Sequence, residues 1–271
     1  MSYFHLNLIL KGKLTVCCLL MLSVIPLNAQ REAKQIGDFK ESISLNEHLR
    51  GTKRTLQYCP DGDEFVCVNG KNRYTRALYG SHSPFRVETS DRPVFAFYNN
   101  GRGGNISFKV ILRDGTELAL DRTGYCESRY SAGKRTYYLT DPSWGKGELR
   151  ISVLALADMD GAIWRFSPSN MPKGAILRWQ HGGATGKRLS RNGDMGVDPA
   201  DCFELPAEAT DLVTGELPLQ KEVYLVRGEV PEGYNVRKLY QQAEAASLAL
   251  ASHLKIETPD PYLNTLGGAL V

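Results

Sequence analysis

The chain lacks the short motifs that mark a nucleophile, a hydrolytic metal or a bound nucleotide. No G-x-S-x-G elbow, no H-E-x-x-H and no G-x-x-x-x-G-K-[ST] occurs in its 271 residues, which removes the common serine hydrolase, zincin and P-loop readings. Histidine is scarce, and His48, His82, His181 and His253 are too scattered to build a histidine metal site. No metal and no cofactor is therefore expected. Glycosidic cleavage needs a carboxyl pair at defined separation, and the sequence singles out no such pair, because most Asp and Glu sit in turns or beside bases. Charge of one sign is also missing: 33 basic residues face 30 acidic ones. Neither nucleic acid nor an anionic membrane is an expected partner of so balanced a chain.

Composition is that of a globular protein, with 42% hydrophobic and 23% charged residues, and it predicts a packed core. The first 29 residues stand apart from that core. Lys11 and Lys13 flank "LTVCCLLMLSVIPL", an apolar run short for a membrane span, and "LNA" before Gln30 offers small Ala29 for cleavage. This reads as a secretory signal peptide (1–29), with an uncleaved anchor as the alternative, and it implies export to the periplasm or the cell surface. Cleavage leaves 31 basic against 30 acidic residues, and no membrane contact is expected afterwards.

Cys59, Cys67, Cys126 and Cys202 remain, and an exported chain can oxidise them. Four cysteines allow three pairings, which spacing does not choose between. A tight hairpin with Asp61-Gly62 at its tip would set Cys59 opposite Glu64 and Cys67 opposite Leu56, a register that argues against a Cys59–Cys67 bond. Without a histidine cluster, Cys-x7-Cys is a poor zinc signature.

From residue 54 to 230, after a lead-in at 30–53, the pattern is all-β. Runs rich in branched and aromatic residues recur as "FVCV" (65–68), "VFAFY" (94–98), "SFKVIL" (107–112), "ELAL" (117–120), "RTYYL" (135–139), "LRISVLALA" (149–157), "AIWRF" (162–166), "AILRW" (175–179) and "EVYLVR" (222–227). Asp61-Gly62, Asp114-Gly115 and Asp160-Gly161 punctuate them as turns. Short strands at hairpin spacing predict an antiparallel β-sandwich, with 69–92 and 181–218 as loops at its ends.

After Pro231 the period changes. Asn235 caps a predicted helix of about twenty residues, about 30 Å long, on which Val236, Leu239, Ala243, Ala246, Leu250 and Leu254 form an apolar stripe. This is the linker helix of 231–257. Thr258 then reads as the N-cap of a second helix carrying Leu263, Leu266, Ala269, Leu270 and Val271. Both stripes require partner surfaces, and the second is expected to face water unless a further domain covers it.

Candidate binding residues cluster in "NGKNRYTRALYGSHSPFR" (69–86). Asn69, Asn72, Arg73, Arg76, Tyr79 and His82 offer donors, cations and aromatic faces, the mix that takes sugar hydroxyls or an anionic sugar. A loop satisfying its own backbone is the competing reading. A second cluster, "RNGDMGVDPADCF" (191–203), contributes Arg191, Asn192 and Asp194. Its acids lack the spacing of a twelve-residue calcium loop, and Asx turns account for them equally well. Trp144, in "DPSWGKGE", is a candidate platform for a sugar ring if exposed, while Trp164 and Trp179 belong to strands and the core.

Several of these stretches carry a resemblance. "CPDGDEFVCVNGKNRYTRALYG", "GKGELRISVLALADMDGAIWRF" and "LSRNGDMGVDPADCFEL", followed by "TPDPYLNTLGGAL", resemble an uncharacterised family of large exported bacterial proteins related to six-hairpin glycosidases. "TPDP" followed by Leu263 and Asn264 is also similar to the barrel entry of inverting glycoside phosphorylases. The resemblance implies a supersandwich-like β-sandwich and linker helix ahead of an (α/α)6 barrel that supplies the catalytic carboxylates, with 258–271 as the start of that barrel. Family members would continue well past the position of Val271, so no catalytic residue is carried onto this chain. The expected function is that of a non-catalytic front module of an exported glycoside hydrolase-like or phosphorylase-like enzyme, with carbohydrate and the barrel as partners. The alternative is a self-sufficient secreted carbohydrate-binding protein.

Overall fold

The computed structural model describes residues 57–80, 85–99, 102–188 and 212–270. The expected signal peptide and lead-in lie outside them, as do His82, Arg191, Asn192, Asp194 and Cys202. All described residues belong to one unit, Gln57–Val271.

Alternation of side chains along short strands builds two antiparallel sheets, the expected all-β sandwich. The first runs in the order β1 (Cys59–Asp61), β2 (Glu64–Val68), β8 (Tyr125–Ser131), β9 (Lys134–Thr140), β10 (Glu148–Ala155), β11 (Gly161–Ser169) and β14 (Val223–Gly228). The second runs β13 (Val213–Pro218), β12 (Ile176–Arg188), β6 (Arg102–Ile111), β5 (Phe95–Asn99), β4 (Arg86–Thr89) and β3 (Arg76–Tyr79), with β7 (Glu117–Ala119) also paired to β6.

Inward residues of both sheets meet in one core. Trp164 of the first sheet contacts Phe95, Phe97 and Phe108 of the second, at ring separations of 5.6, 5.7 and 5.9 Å, within the range where tilted aromatic pairs attract. The continuous apolar run in β10 has a simple cause, since both of its faces are covered. Ile151 and Val153 point into the sandwich, whereas Leu154 points outward with Ile163 under helix α1 (Val236–Ala251).

Asn235 caps α1 as expected, its Oδ1 accepting from Lys238 N at 3.0 Å. Leu239, Tyr240 and Ala243 bury against Leu154, Leu156 and Ile163. Arg165 lies 4.4 Å from the centre of the Tyr240 ring, and Lys134 pairs with Glu244 at 2.9 Å. The predicted stripe is used only in its first half: Leu250 and Leu254 are exposed, as is Leu248, which lies outside the stripe.

Several expectations need correction. The first hairpin turns on Gly62-Asp63, because Asp61 pairs with Glu64 and Cys59 with Val66. Gly62 takes the positive φ of 64° at the first turn position. Cys59 therefore shares a face with Val66 and not with Cys67, and Cys59, Cys67 and Cys126 are buried with no disulfide joining any two of the three. The stretch 69–92 is not a single loop, since β3 and β4 form a hairpin inside it. Within 181–218, β12 extends to Arg188 and β13 pairs back onto it.

The second helix, α2 (Pro261–Ala269), is capped by Asp260, whose Oδ1 accepts from Tyr262 N at 2.8 Å. Thr258 instead closes a clamp with Asn264, donating from N and Oγ1 to Oδ1 and receiving Nδ2 on its carbonyl. One face of α2 docks on the first sheet. Thr265 Oγ1 reaches Gly62 O at 2.9 Å, and Ala132 N donates to Gly268 O at 2.8 Å. Leu263 and Leu270 stay exposed on the other face.

Candidate functional site

A concavity among the described residues follows from how β6 is paired. One edge of β6 is occupied by β12 along Gly104–Ile111, whereas the other is divided between β5, which reaches Ile106, and β7, which begins at Lys109. Neither β5 nor β7 pairs with Ser107 or Phe108. An open cleft of about 750 Å³ lies at this break, walled by Asn72 and Arg73, by Ser90 and Arg92 to Val94, and by Ala119 and Asp121 to Thr123. Its size falls within the ~300–1,000 Å³ of small-molecule sites.

A buried carboxylate holds one wall in place. Asp91 is fully buried, and it accepts from Tyr58 Oη at 2.6 Å, Gln57 Nε2 at 2.8 Å and the Asn72 backbone N at 2.9 Å. Arg135, also buried, lies 3.5 Å from its Oδ1. Tyr74 N donates to Ser90 Oγ at 2.8 Å, and Thr75 N to Thr89 O at 2.7 Å. These bonds turn the 72–75 segment into a fixed rim. Burial, together with the Asp91 carboxylate, holds the Tyr58 phenol above its ordinary 10.0. Gly70 is required here, because a Cβ would collide with Asp91 Oδ2 and lie 2.6 Å from Cys67 Sγ.

Arg92 braces the opposite wall. Its Nη1 donates to Asp121 O at 3.2 Å and Thr123 O at 2.8 Å, and its Nη2 to Asn69 Oδ1 at 3.2 Å. Three of the five guanidinium N–H groups are thereby engaged. Lys109 Nζ bonds Glu117 at 2.9 Å, and Arg122, largely exposed, stands 3.6 Å from Asp121. Five of the lining side chains are cationic and one, Asp121, is a carboxylate.

The predicted residues divide accordingly. Asn72 and Arg73 line the cleft, with Arg73 donating to Tyr74 Oη at 2.9 Å. Asn69 works for the fold, since its Oδ1 accepts from Cys126 N and Arg92. Arg76 and Tyr79 sit on β3 outside the cleft. Arg76 lies over Tyr130 at 5.1 Å, and Tyr79 is exposed. Trp144 is not a platform: the turn Pro142–Trp144, capped by Asp141, directs it inward, and only 2% of it is exposed. Arg92, Ser107, Lys109 and Arg122 escaped the sequence reading, because β-pairing gathers them from three separated stretches, whereas Lys71 lay within 69–86 without being singled out.

Among the described residues no group of three or more His, Cys, Asp or Glu is placed to hold a metal ion. The chemistry available in the cleft is hydrogen bonding and cation contact, with no pair of carboxyls to act as acid and base.

No curated protein matches the chain. Residues 100–229, which carry β6 to β14 and one wall of the cleft, match the model of a domain of unknown function, DUF4450, and this fits the expected resemblance to an uncharacterised family.

Proposed function

We propose that this chain serves as a non-catalytic, carbohydrate-binding module of an exported glycoside hydrolase-like protein. The observation that carries the reading is the cleft at the break in β6. It presents amide, hydroxyl and guanidinium donors on fixed walls and a single lining carboxylate, a set that binds polyhydroxylated ligands without cleaving them. Export rests on the signal-like first 29 residues. The exposed Leu248, Leu250, Leu254, Leu263 and Leu270 along α1, α2 and their link support a helical domain of the same protein as the partner, because such a surface favours burial. The resemblance gives that domain the catalytic role.

Affinity electrophoresis of the full chain in gels containing different polysaccharides tests the reading. Retardation by at least one polysaccharide, with no release of reducing sugar, is expected. Release of reducing sugar by the chain alone would overturn the non-catalytic assignment, and no retardation in any gel would overturn carbohydrate binding.

A further inference from the structure

We propose that the cleft at the β6 break selects an anionic oligosaccharide, with its charge on carboxylate or sulfate groups; this rests on the carbohydrate-binding reading above. The first ground is local charge. The whole chain carries a formal charge of only +3, yet five of the six ionisable side chains lining this one cleft are cationic. Lys109 is offset by Glu117, and Arg122 in part by Asp121. Lys71 and Arg92 make no ion pair among the described residues, so the cleft retains an uncompensated positive field facing its opening.

The second ground is how these cations are held. Arg92 is fixed by three hydrogen bonds to Asn69 and to the backbone of the 121–123 turn. Two of its five N–H donors remain, in the planar geometry that suits a carboxylate or sulfate. A preorganised guanidinium loses little side-chain freedom when an anion arrives. Lys71 and Arg122 are exposed at the rim and able to follow charges spaced along a chain.

The third ground is the missing stacking surface. Neutral sugars are commonly held on an exposed aromatic face, but the one aromatic ring lining the cleft, Phe108, is 2% exposed, and Trp144 is in the core. Recognition here must come from polar and ionic contacts. The strand break adds to these, because among the described residues neither β5 nor β7 pairs with β6 at Ser107 and Phe108, so that this edge, which lines the cleft, can meet hydroxyls.

The test is calorimetric titration of the full chain with a panel of uronate oligosaccharides, sulfated oligosaccharides, their neutral counterparts (methyl-esterified or desulfated) and a DNA oligonucleotide of matched charge. At least one acidic member is expected to bind at least tenfold tighter than its neutral counterpart and than the DNA, and the panel distinguishes carboxylate from sulfate. The double variant Lys71→Ala/Arg122→Ala, both exposed positions, is expected to weaken that binding at least tenfold with an unchanged melting temperature. Lys146→Ala, outside the cleft, is expected to change neither. Equal binding of acidic and neutral members overturns the anionic selectivity and leaves the carbohydrate reading intact. Unchanged affinity in the double variant overturns the assignment to this cleft. Equal binding of DNA shows charge attraction without sugar recognition and overturns the proposal, and no binding by any oligosaccharide overturns both it and the reading beneath it.

Discussion

Tyr58 donates a 2.6 Å hydrogen bond to Asp91 across 33 residues of sequence, tying the segment before β1 to the turn between β4 and β5. The same carboxylate faces the buried guanidinium of Arg135 at 3.5 Å. Asp91 thus fixes the Asn72 rim of the cleft and neutralises a charge in the interior.

Replacing Asp91 by Ala strands Arg135 without a counter-charge. Breaking a buried pair on one side costs ~3–5 kcal/mol, and urea denaturation is expected to show a loss of that order. Asp91→Asn keeps part of the hydrogen bonding and is expected to cost less. Equal, small effects for both variants would mean that the carboxylate does not organise this region.

Trp144→Ala removes a core side chain and not a ligand platform. A loss of ~3–5 kcal/mol is expected from the cavity, while Trp144→Phe retains most of the stability and leaves oligosaccharide affinity unchanged. Weaker binding by the Phe variant at full stability would restore a role in recognition.

Asp141 supplies an acid-dependent contribution. Burial raises its carboxyl's pKa, but hydrogen bonds from Ser143 Oγ, Ser143 N and Gly124 N outweigh that and hold it below its ordinary 3.8. A depressed value stabilises the fold above the unfolded pKa, and the contribution disappears as pH falls through the lower folded value. Wild type is expected to exceed Asp141→Ala by ~1 kcal/mol, the worth of a side-chain cap, at neutral pH. That advantage should shrink below pH 3.8. Melting curves from pH 7 to pH 2.5 check the trend, and a pH-independent difference would refute it.

Docking of α2 depends on the absence of a side chain at Gly268, where a Cβ would stand 2.9 Å from Ser131 Oγ and 3.3 Å from Asp63 O. Gly268→Val is expected to lift the helix from the β1–β2 hairpin, raise amide exchange at Ala132, whose N–H bonds Gly268 O, and leave cooperative melting of the sandwich in place. Unchanged protection at Ala132 would show that the helix tolerates the clash.

The legible part of this protein was what depends on neighbours in the chain. Period-2 runs such as "RTYYL" and "AIWRF" became β9 and β11, and Asn235 capped α1, because pleat, turn and cap geometry are set within a few residues. Strands lacking a clean apolar run, such as "RALY" and "RVET", went unread. They are strands because β5 offers its edge to β4, and β4 in turn to β3, which no local propensity records. The candidate site was half legible for the same reason. The density of polar groups at 69–86 located Asn72 and Arg73, but Arg92, Lys109 and Arg122 join them only through pairing across β5, β6 and β7. The environment of Trp144 and the docking of α2 on Gly62 and Ala132 were likewise decided by contacts between distant segments. Sequence alone determined the strands with clear apolar runs and the first helix, whose energetics are local. Tertiary structure alone decided which cations share a cleft and which aromatics are hidden, because burial and proximity are properties of the assembled sheets.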